Sequence, residues 1–235
     1  MPSCRFEEVY TFTMKNIVLL GDRNTDFLTH RELDAAIALL PGDVQARWIG
    51  TDSKDAMYID QADGVWVVPG GPYRNDAAVY RAIKTARTSG QPFLGTCSGF
   101  QYAVVEFARN VAGIVGADHA ETAPGADNLV VGRLACSLIG EERHVTAVPG
   151  TRMHGLCGTT SFAGFHWCNY GIAPGWADRL ATHGLLIAAL ADDAGVEAVE
   201  LPNHPFFLAT LFQPQIGALA SRRLHPIIEA FVTAA

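Results

Sequence analysis

The stretch Pro92-Phe93-Leu94-Gly95-Thr96-Cys97-Ser98-Gly99-Phe100-Gln101 runs from an apolar segment, through a turn of small residues, into an apolar helical pattern. It reads as strand, sharp turn and helix, with Cys97 at the apex. A nucleophile elbow of this kind needs glycine on both sides, because the crowded backbone leaves no room for a Cβ. It aims the apex side chain out of the sheet toward converging N–H groups. The free N–H groups at a helix N-terminus carry partial positive charge, which favours the thiolate, the nucleophilic form of cysteine. Cys97 is therefore the candidate nucleophile. The plainer reading is a buried structural cysteine on a tight turn.

Around this stretch, strand and helix alternate through residue 110. Lys15 to Asp22 is a β-branched run ending in turn residues, and Leu28 to Leu40 has apolar spacing of three and four before Pro41-Gly42 stops it. Val44 to Ile49 reads as a second strand. Val65-Trp66-Val67-Val68 reads as a third, too apolar to have a solvent face, as buried parallel strands are. Pro69-Gly70-Gly71-Pro72 ends it, and Ala77 to Ala86 supplies the helix before the elbow strand. The pattern predicts an α/β fold, an open and mostly parallel doubly wound sheet flanked by helices. Sites in such sheets lie at the carboxyl ends of the strands, where Gly70, Gly71 and Cys97 all fall.

Beyond Val111 the helical period fades. Asp118 to Asn128 reads as a polar loop, Leu129 to Leu134 and His144 to Val148 as strands, and Pro149 to Pro174 as a long irregular segment of the kind that carries function. A short helix over Ala177 to His183 precedes three closely spaced strands, Leu185 to Leu190, Val196 to Leu201 and Phe206 to Phe212, expected to pair as neighbours. One terminal helix from Gly217 to Thr233 is expected to cover the sheet with Leu219, Leu224, Ile227, Ile228 and Phe231.

Composition narrows the function. The 235 residues are 49% hydrophobic with no apolar run long enough to span a bilayer, which predicts one globular domain over 1–235. Residues 1–13 lack the basic start and continuous apolar core of a signal peptide and read as a disordered extension, with Met14 as a second candidate start. Five cysteines, Cys4, Cys97, Cys136, Cys157 and Cys168, are an odd number at irregular spacing. That fits reduced thiols in a cytoplasmic protein better than a disulfide framework. A net charge of −7 with scattered Lys and Arg argues against nucleic-acid or anionic-membrane partners. Small molecules, another protein or further copies of this chain remain.

Three motifs, Val67-Val68-Pro69-Gly70-Gly71, Gly95-Thr96-Cys97-Ser98-Gly99-Phe100-Gln101, and Glu200-Leu201-Pro202-Asn203-His204-Pro205-Phe206-Phe207 leading into Phe212-Gln213-Pro214-Gln215, stand in order along the chain. Together they resemble the class I glutamine amidotransferase domain of the CTP synthase type, from about Ile17 to Phe231. The resemblance implies the flavodoxin-like fold of that class and a Cys-His-Glu triad that hydrolyses glutamine and delivers ammonia to a synthetase. It implies no cofactor. No P-loop occurs in the 235 residues, so CTP synthesis by this chain alone is not expected.

Carried over by position, the resemblance places Cys97 on the nucleophile, Gly70 and Gly71 on the oxyanion loop, Gln101 beside bound glutamine and Glu121 on the residue that holds the substrate ammonium. The family's Phe-His-Pro-Glu becomes Phe212-Gln213-Pro214-Gln215, so both triad partners are replaced, and the arginine that grips the glutamine carboxylate falls at Asn169. A primary amide shuttles no proton, and loss of general acid-base help costs about 10²–10⁴-fold, so ordinary glutaminase activity is expected to be weak or absent. Loss of the carboxylate together with the imidazole is coherent, because a carboxylate left alone there would be an unpaired charge.

A substitute acid or base is expected from His119, at a separation from Cys97 resembling that in ThiJ/PfpI-like relatives of the fold, or from His166. Each also reads as an incidental loop histidine, and Glu121 as a solvated loop carboxylate. His154, Cys157, His166 and Cys168 are zinc-ligand types without paired spacing, and no metal is expected. His204 matches a family turn. Two classes stay open. The favoured one is an enzyme using Cys97 on a small amide, nitrile-like or carbonyl substrate of amino-acid type, with or without a synthetase-type protein partner; the other is a catalytically inactive binding or regulatory subunit.

Overall fold

The computed structural model describes residues 14–235; the expected extension over 1–13 and Cys4 lie outside the described residues. The first half alternates as the sequence predicts. Strand β1 (Lys15–Leu20) is followed by helix α1 (Leu28–Ile37), β2 (Val44–Ile49), a 3-10 segment, β3 (Gly64–Val67), α2 (Asp76–Ser89), β4 (Phe93–Thr96) and α3 (Ser98–Asn110). The second half contains β5 (Ala117–His119), β6 (Asn128–Arg133), β7 (Glu141–Ala147), α4 (Arg152–Cys157), β8 (Ser161–His166) and β9 (Tyr170–Ile172). It ends with α5 (Trp176–Ala181), β10 (Leu186–Ala191), β11 (Gly195–Glu200), β12 (Phe207–Thr210), α6 (Ala218–Ser221) and α7 (Pro226–Ala234).

Nine strands form one sheet in the order β2-β1-β3-β4-β12-β11-β10-β7-β8. The β2, β1, β3, β4 and β12 strands are mutually parallel, and β11, β10, β7 and β8 continue the sheet by antiparallel pairing. The chain runs from β1 outward to β2 and returns to β3 on the other side of β1, so the strand order reverses between β1 and β3. A doubly wound sheet opens its crevice at such a reversal. The central strands explain why: every residue of β3, β4 and β12 is buried, and strands covered on both faces by helices have no polar side to show.

Helix α2 starts on Asn75, whose side chain accepts from the Ala78 N–H at 3.1 Å, and ends on Gly90 in the left-handed region. Helix α3 is buried continuously from Ser98 to Ala108, pressed between the parallel strands, α2 and the second sheet, β5-β6-β9. Its one buried acid, Glu106, is held by a two-pronged ion pair from Arg87 at 2.8 Å.

The irregular segment expected over residues 149–174 instead holds α4, β8 and β9; these elements are short, and their half-exposed faces leave too few apolar positions to show a period. His119 and His166 are likewise not loop residues but the last residues of β5 and β8. The single terminal helix is two, α6 and α7. Arg222 is left-handed and Pro226, without an N–H, begins the second one, so Leu219 stays exposed while Ile227, Ile228 and Phe231 are buried against the sheet.

Candidate active site

The elbow geometry follows from its two glycines. A Cβ on Gly99 would stand 2.2 Å from the Val67 carbonyl oxygen, and one on Gly95 would stand 2.8 Å from the Gly99 carbonyl oxygen. Between them Cys97 takes φ 53°, ψ −107°, a conformation a non-glycine residue rarely adopts, held by its N–H donating to the Thr210 carbonyl and its carbonyl accepting from the Gln101 N–H. The strain lifts the sulfur to the carboxyl end of β4, above the N-terminus of α3.

Gly70 and Gly71 lie beside it at the end of β3. The Gly71 N–H donates to the Ser98 hydroxyl at 2.9 Å, so this loop is tied to the elbow helix. A residue that no sequence motif marks fixes the loop from below: His30 of α1, fully buried, lies 2.8 Å from the Pro69 carbonyl through Nε2 while its Nδ1 accepts from the Asn24 N–H. The Nε2 proton therefore points at the loop. Burial lowers the His30 pKa, which keeps that tautomer neutral.

The sulfur's immediate neighbours come from the segment between β8 and β9. In its thiol form Cys97 reaches the Trp167 carbonyl at 3.7 Å, and the Cys168 thiol stands against it. The Cys168 S–H and the Ser98 N–H hold Cys97 below the ordinary thiol range against the opposing effects of burial and the Glu121 charge. Cys168 is pushed well above its ordinary value, first by that contact and then by burial.

Two cavities meet at the elbow. A small polar one of about 90 Å3 is lined by Gln101, Glu121, Cys168, Asn169 and Tyr170, and a larger, mostly apolar one of about 310 Å3 by Phe27, Leu28, Arg31, Gly70 and Gln213; Gly71, Cys97, Ser98 and Trp167 line both. Phe27 and Trp167, 46% and 48% exposed, form an apolar rim. The sequence marks Cys168 only as a zinc-ligand type and Trp167 not at all, because nothing local points either of them at Cys97; only the β8 to β9 return brings them over β4.

The sequence assigns His119 and His166 as acid or base; the structure gives each a different task. His119 Nδ1 accepts from the Glu121 N–H at 3.0 Å and its Nε2 lies 3.1 Å from Gln101 Oε1, while Gln101 Nε2 donates to the Tyr170 carbonyl at 2.8 Å. Burial pushes the His119 pKa down to about 4, so it stands as a neutral brace between Gln101 and Glu121. His166 Nε2 lies 2.9 Å from both carboxylate oxygens of Glu197, each side chain fully buried. Among the described residues no histidine nitrogen hydrogen-bonds the Cys97 sulfur. His119 spends both ring nitrogens on Gln101 and Glu121, whereas His166 spends Nε2 on Glu197 and its buried Nδ1 meets no hydrogen-bond partner.

Gln213 and Gln215 do come together. Gln215 Nε2 donates to Gln213 Oε1 at 2.8 Å in a fully buried pair, and Gln213 Nε2 is left without a protein partner. Glu121 lines the small cavity from an exposed position, its pKa raised by partial desolvation, and Asn169 is half-buried beside it. The zinc-type residues do not converge: His166 is paired with Glu197 and Cys168 faces Cys97.

The family model described as glutamine amidotransferase class-I matches residues 26–210, most of the chain and all of the elbow. The chain belongs to the class-I glutamine amidotransferase family. Among curated members, it is 36% identical to a CTP synthase of Archaeoglobus fulgidus over 80% of this chain and 34% identical to one of Halobacterium salinarum over 86%. It spans only 37% of the length of either. In three dimensions this amidotransferase domain resembles the glutaminase domain of Trypanosoma brucei CTPS with bound acivicin, with a TM-score of 0.81, 22% identity, and 94% and 93% of the two chains covered. It also resembles a glutamine amidotransferase of Thermotoga maritima, with a TM-score of 0.57, 13% identity, and 94% and 81% of the two chains covered. Among the described residues no helix is long and apolar enough to cross a membrane.

Proposed function

We propose that this class-I amidotransferase domain uses Cys97 as a nucleophile on a small amide, nitrile-like or carbonyl substrate of amino-acid type, and that it is not an ordinary glutaminase. The observation that carries the reading is the Cys97 thiol, held below its ordinary range on a strained elbow, beside a buried Gln213-Gln215 amide pair where the family pattern has imidazole and carboxylate. Attack needs only the thiolate. Glu121 takes the substrate ammonium, Gln101 and Asn169 the polar remainder, and the Gly70-Gly71 loop, after release of its bond to Ser98, the developing oxyanion.

Protonation of a leaving amine is the step for which the chain is poorly equipped, since the thiol and carboxylate that share the small cavity with the sulfur are those of Cys168 and of Glu121, which the substrate ammonium engages, and Gln213 supplies only a neutral donor. Substrates whose adduct forms without expelling a poor leaving group, such as nitriles or activated carbonyls, fit this arrangement better than a primary amide. The apolar rim of Phe27 and Trp167 suits docking of a synthetase-type partner above the site. The commitment of both histidines to other residues favours a second reading, a binding or regulatory subunit without turnover.

The two readings separate in one experiment. Intact-mass analysis of the protein with a panel of amino-acid amides, nitriles and aldehydes is expected to show an adduct on Cys97 that Cys97→Ala loses, and Glu121→Gln is expected to weaken capture of amine-bearing members. Absence of any Cys97 adduct, with binding still detectable by calorimetry, would establish the binding reading.

A further inference from the structure

Cys97 and Cys168 reach the site from separate parts of the fold, one from the elbow after β4 and the other from the return between β8 and β9, yet their thiols meet in the wall of the small polar cavity. Both are buried, and neither position is loose. The Cys168 carbonyl accepts from the Leu138 N–H at 3.0 Å, the neighbouring Asn169 carbonyl accepts from Leu134 at 2.8 Å, and Cys97 is locked between Thr210 and Gln101. Of the other described thiols, Cys136 is exposed and Cys157, half-buried, is pushed up to about 11.

We propose that Cys97 and Cys168 form a reversible redox pair, in which a hydroperoxide oxidises Cys97 and Cys168 closes on it as a disulfide. In the first step the Cys97 thiolate attacks the terminal peroxide oxygen. The O–O bond breaks, the sulfur loses two electrons to become Cys97 sulfenic acid, and the departing alkoxide or hydroxide takes a proton from water. In the second step the Cys168 sulfur displaces the hydroxyl from Cys97, an S–S bond forms, and the hydroxyl leaves with the Cys168 proton as water. Two thiols and one hydroperoxide give one disulfide, one alcohol or water from the peroxide, and one water from the condensation.

The amide pair that handicaps acyl chemistry is no obstacle here, because neither step calls on Gln213 or Gln215 to move a proton. The larger cavity, which shares Cys97 and Trp167 with the small one, admits the oxidant. Closure takes the thiolate out of reach of any electrophile and removes the charge that opposes Glu121, so it switches the elbow off, and a thiol reductant restores it. None of this depends on which substrate, if any, Cys97 attacks.

The test reads mass rather than turnover. The fully reduced chain is treated at neutral pH with one equivalent of hydrogen peroxide, quenched with iodoacetamide and digested with trypsin without reductant. Peptide 88–109 is expected to appear linked to peptide 153–179, fragmentation placing the bond at Cys168 rather than Cys157, and dithiothreitol should abolish the link. In Cys168→Ser, dimedone should trap Cys97 sulfenic acid and sulfinic acid should accumulate several-fold faster than in the wild type. The proposal is overturned if wild-type Cys97 goes to sulfinic acid without the linked peptide, or if the only disulfides join Cys136 or Cys157 of different molecules. Should Cys168→Ser fail to fold, the wild-type linkage map decides alone.

Discussion

Gln215 Nε2 donates to Gln213 Oε1 at 2.8 Å, and both side chains are buried. The pair is neutral, held to itself, and one residue of it lines the cavity that contains Cys97. A lone imidazole or a lone carboxylate at either position would leave a buried titratable group without its partner, which explains why the two amides occur together.

The wild-type chain is accordingly expected to release little ammonia from glutamine. Gln213→His with Gln215→Glu should recover only part of the about 10²–10⁴-fold that general acid-base help supplies, because Asn169 offers the substrate carboxylate no cation. An ammonia assay checks both statements. Wild-type turnover at an ordinary glutaminase rate would mean that another group already serves as general acid. Gln215→Glu alone should melt below the double variant, since it buries a carboxylate without its imidazole.

Cys97 should be the thiol that iodoacetamide labels first at neutral pH, ahead of Cys157 and Cys168, whose pKa values are raised. Because its own pKa is lowered, its labelling rate should begin to rise at a lower pH than that of an ordinary thiol with a pKa of 9.0. Rates followed by peptide mapping across pH decide this, and faster modification of Cys168 in the folded protein would contradict the assigned polarity of the pair.

Gly99→Ala should be strongly destabilising, because its methyl carbon would lie 2.2 Å from the Val67 carbonyl oxygen and rigid backbone cannot yield there. A loss of about 3 kcal/mol or failure to fold is expected, at or beyond the upper range of overpacking. Gly155→Ala is the control: its methyl group meets nothing within 4 Å inside α4, so a gain of roughly 0.5–1 kcal/mol is expected. Urea unfolding of the two variants beside the wild type measures both.

His119 supplies a pH dependence. Its folded pKa, about 4, lies below the ordinary 6.5, so the unfolded chain binds more protons between those values. Stability from this group is therefore complete above about pH 6.5 and falls as the pH drops toward 4, by on the order of 3 kcal/mol at about 1.4 kcal/mol per pH unit. His119→Gln, which keeps a neutral hydrogen-bonding side chain beside Gln101, should flatten the profile in that window. Identical slopes for variant and wild type would show that His119 is not the group responsible.

The fold was legible where one element buries one pattern. Val65 to Val68 and Phe93 to Thr96 are apolar on both faces because helices cover both, and the run itself announces a central parallel strand. The second half was harder to read. In α4, β8 and β9 half of each short element faces water, and the break between α6 and α7 depends on the left-handed Arg222 as much as on Pro226.

The site divides in the same way. Residue order was enough to announce the elbow, since Gly95, Cys97 and Gly99 are local neighbours, while the backbone that crowds and holds it, the Val67 and Thr210 carbonyls, comes from other strands. It was enough, too, to show amides at residues 213 and 215, where the resemblance implies imidazole and carboxylate. What faces the sulfur, by contrast, is a product of packing in three dimensions. Cys168 and Trp167 arrive there through a return between strands far along the chain, while His119 and His166 are drawn away to Gln101, Glu121 and Glu197. A histidine's role is set by which partners claim its nitrogens, both for His119 and only Nε2 for His166, and long-range packing settles that claim because it decides which polar groups come within about 3 Å of a buried ring.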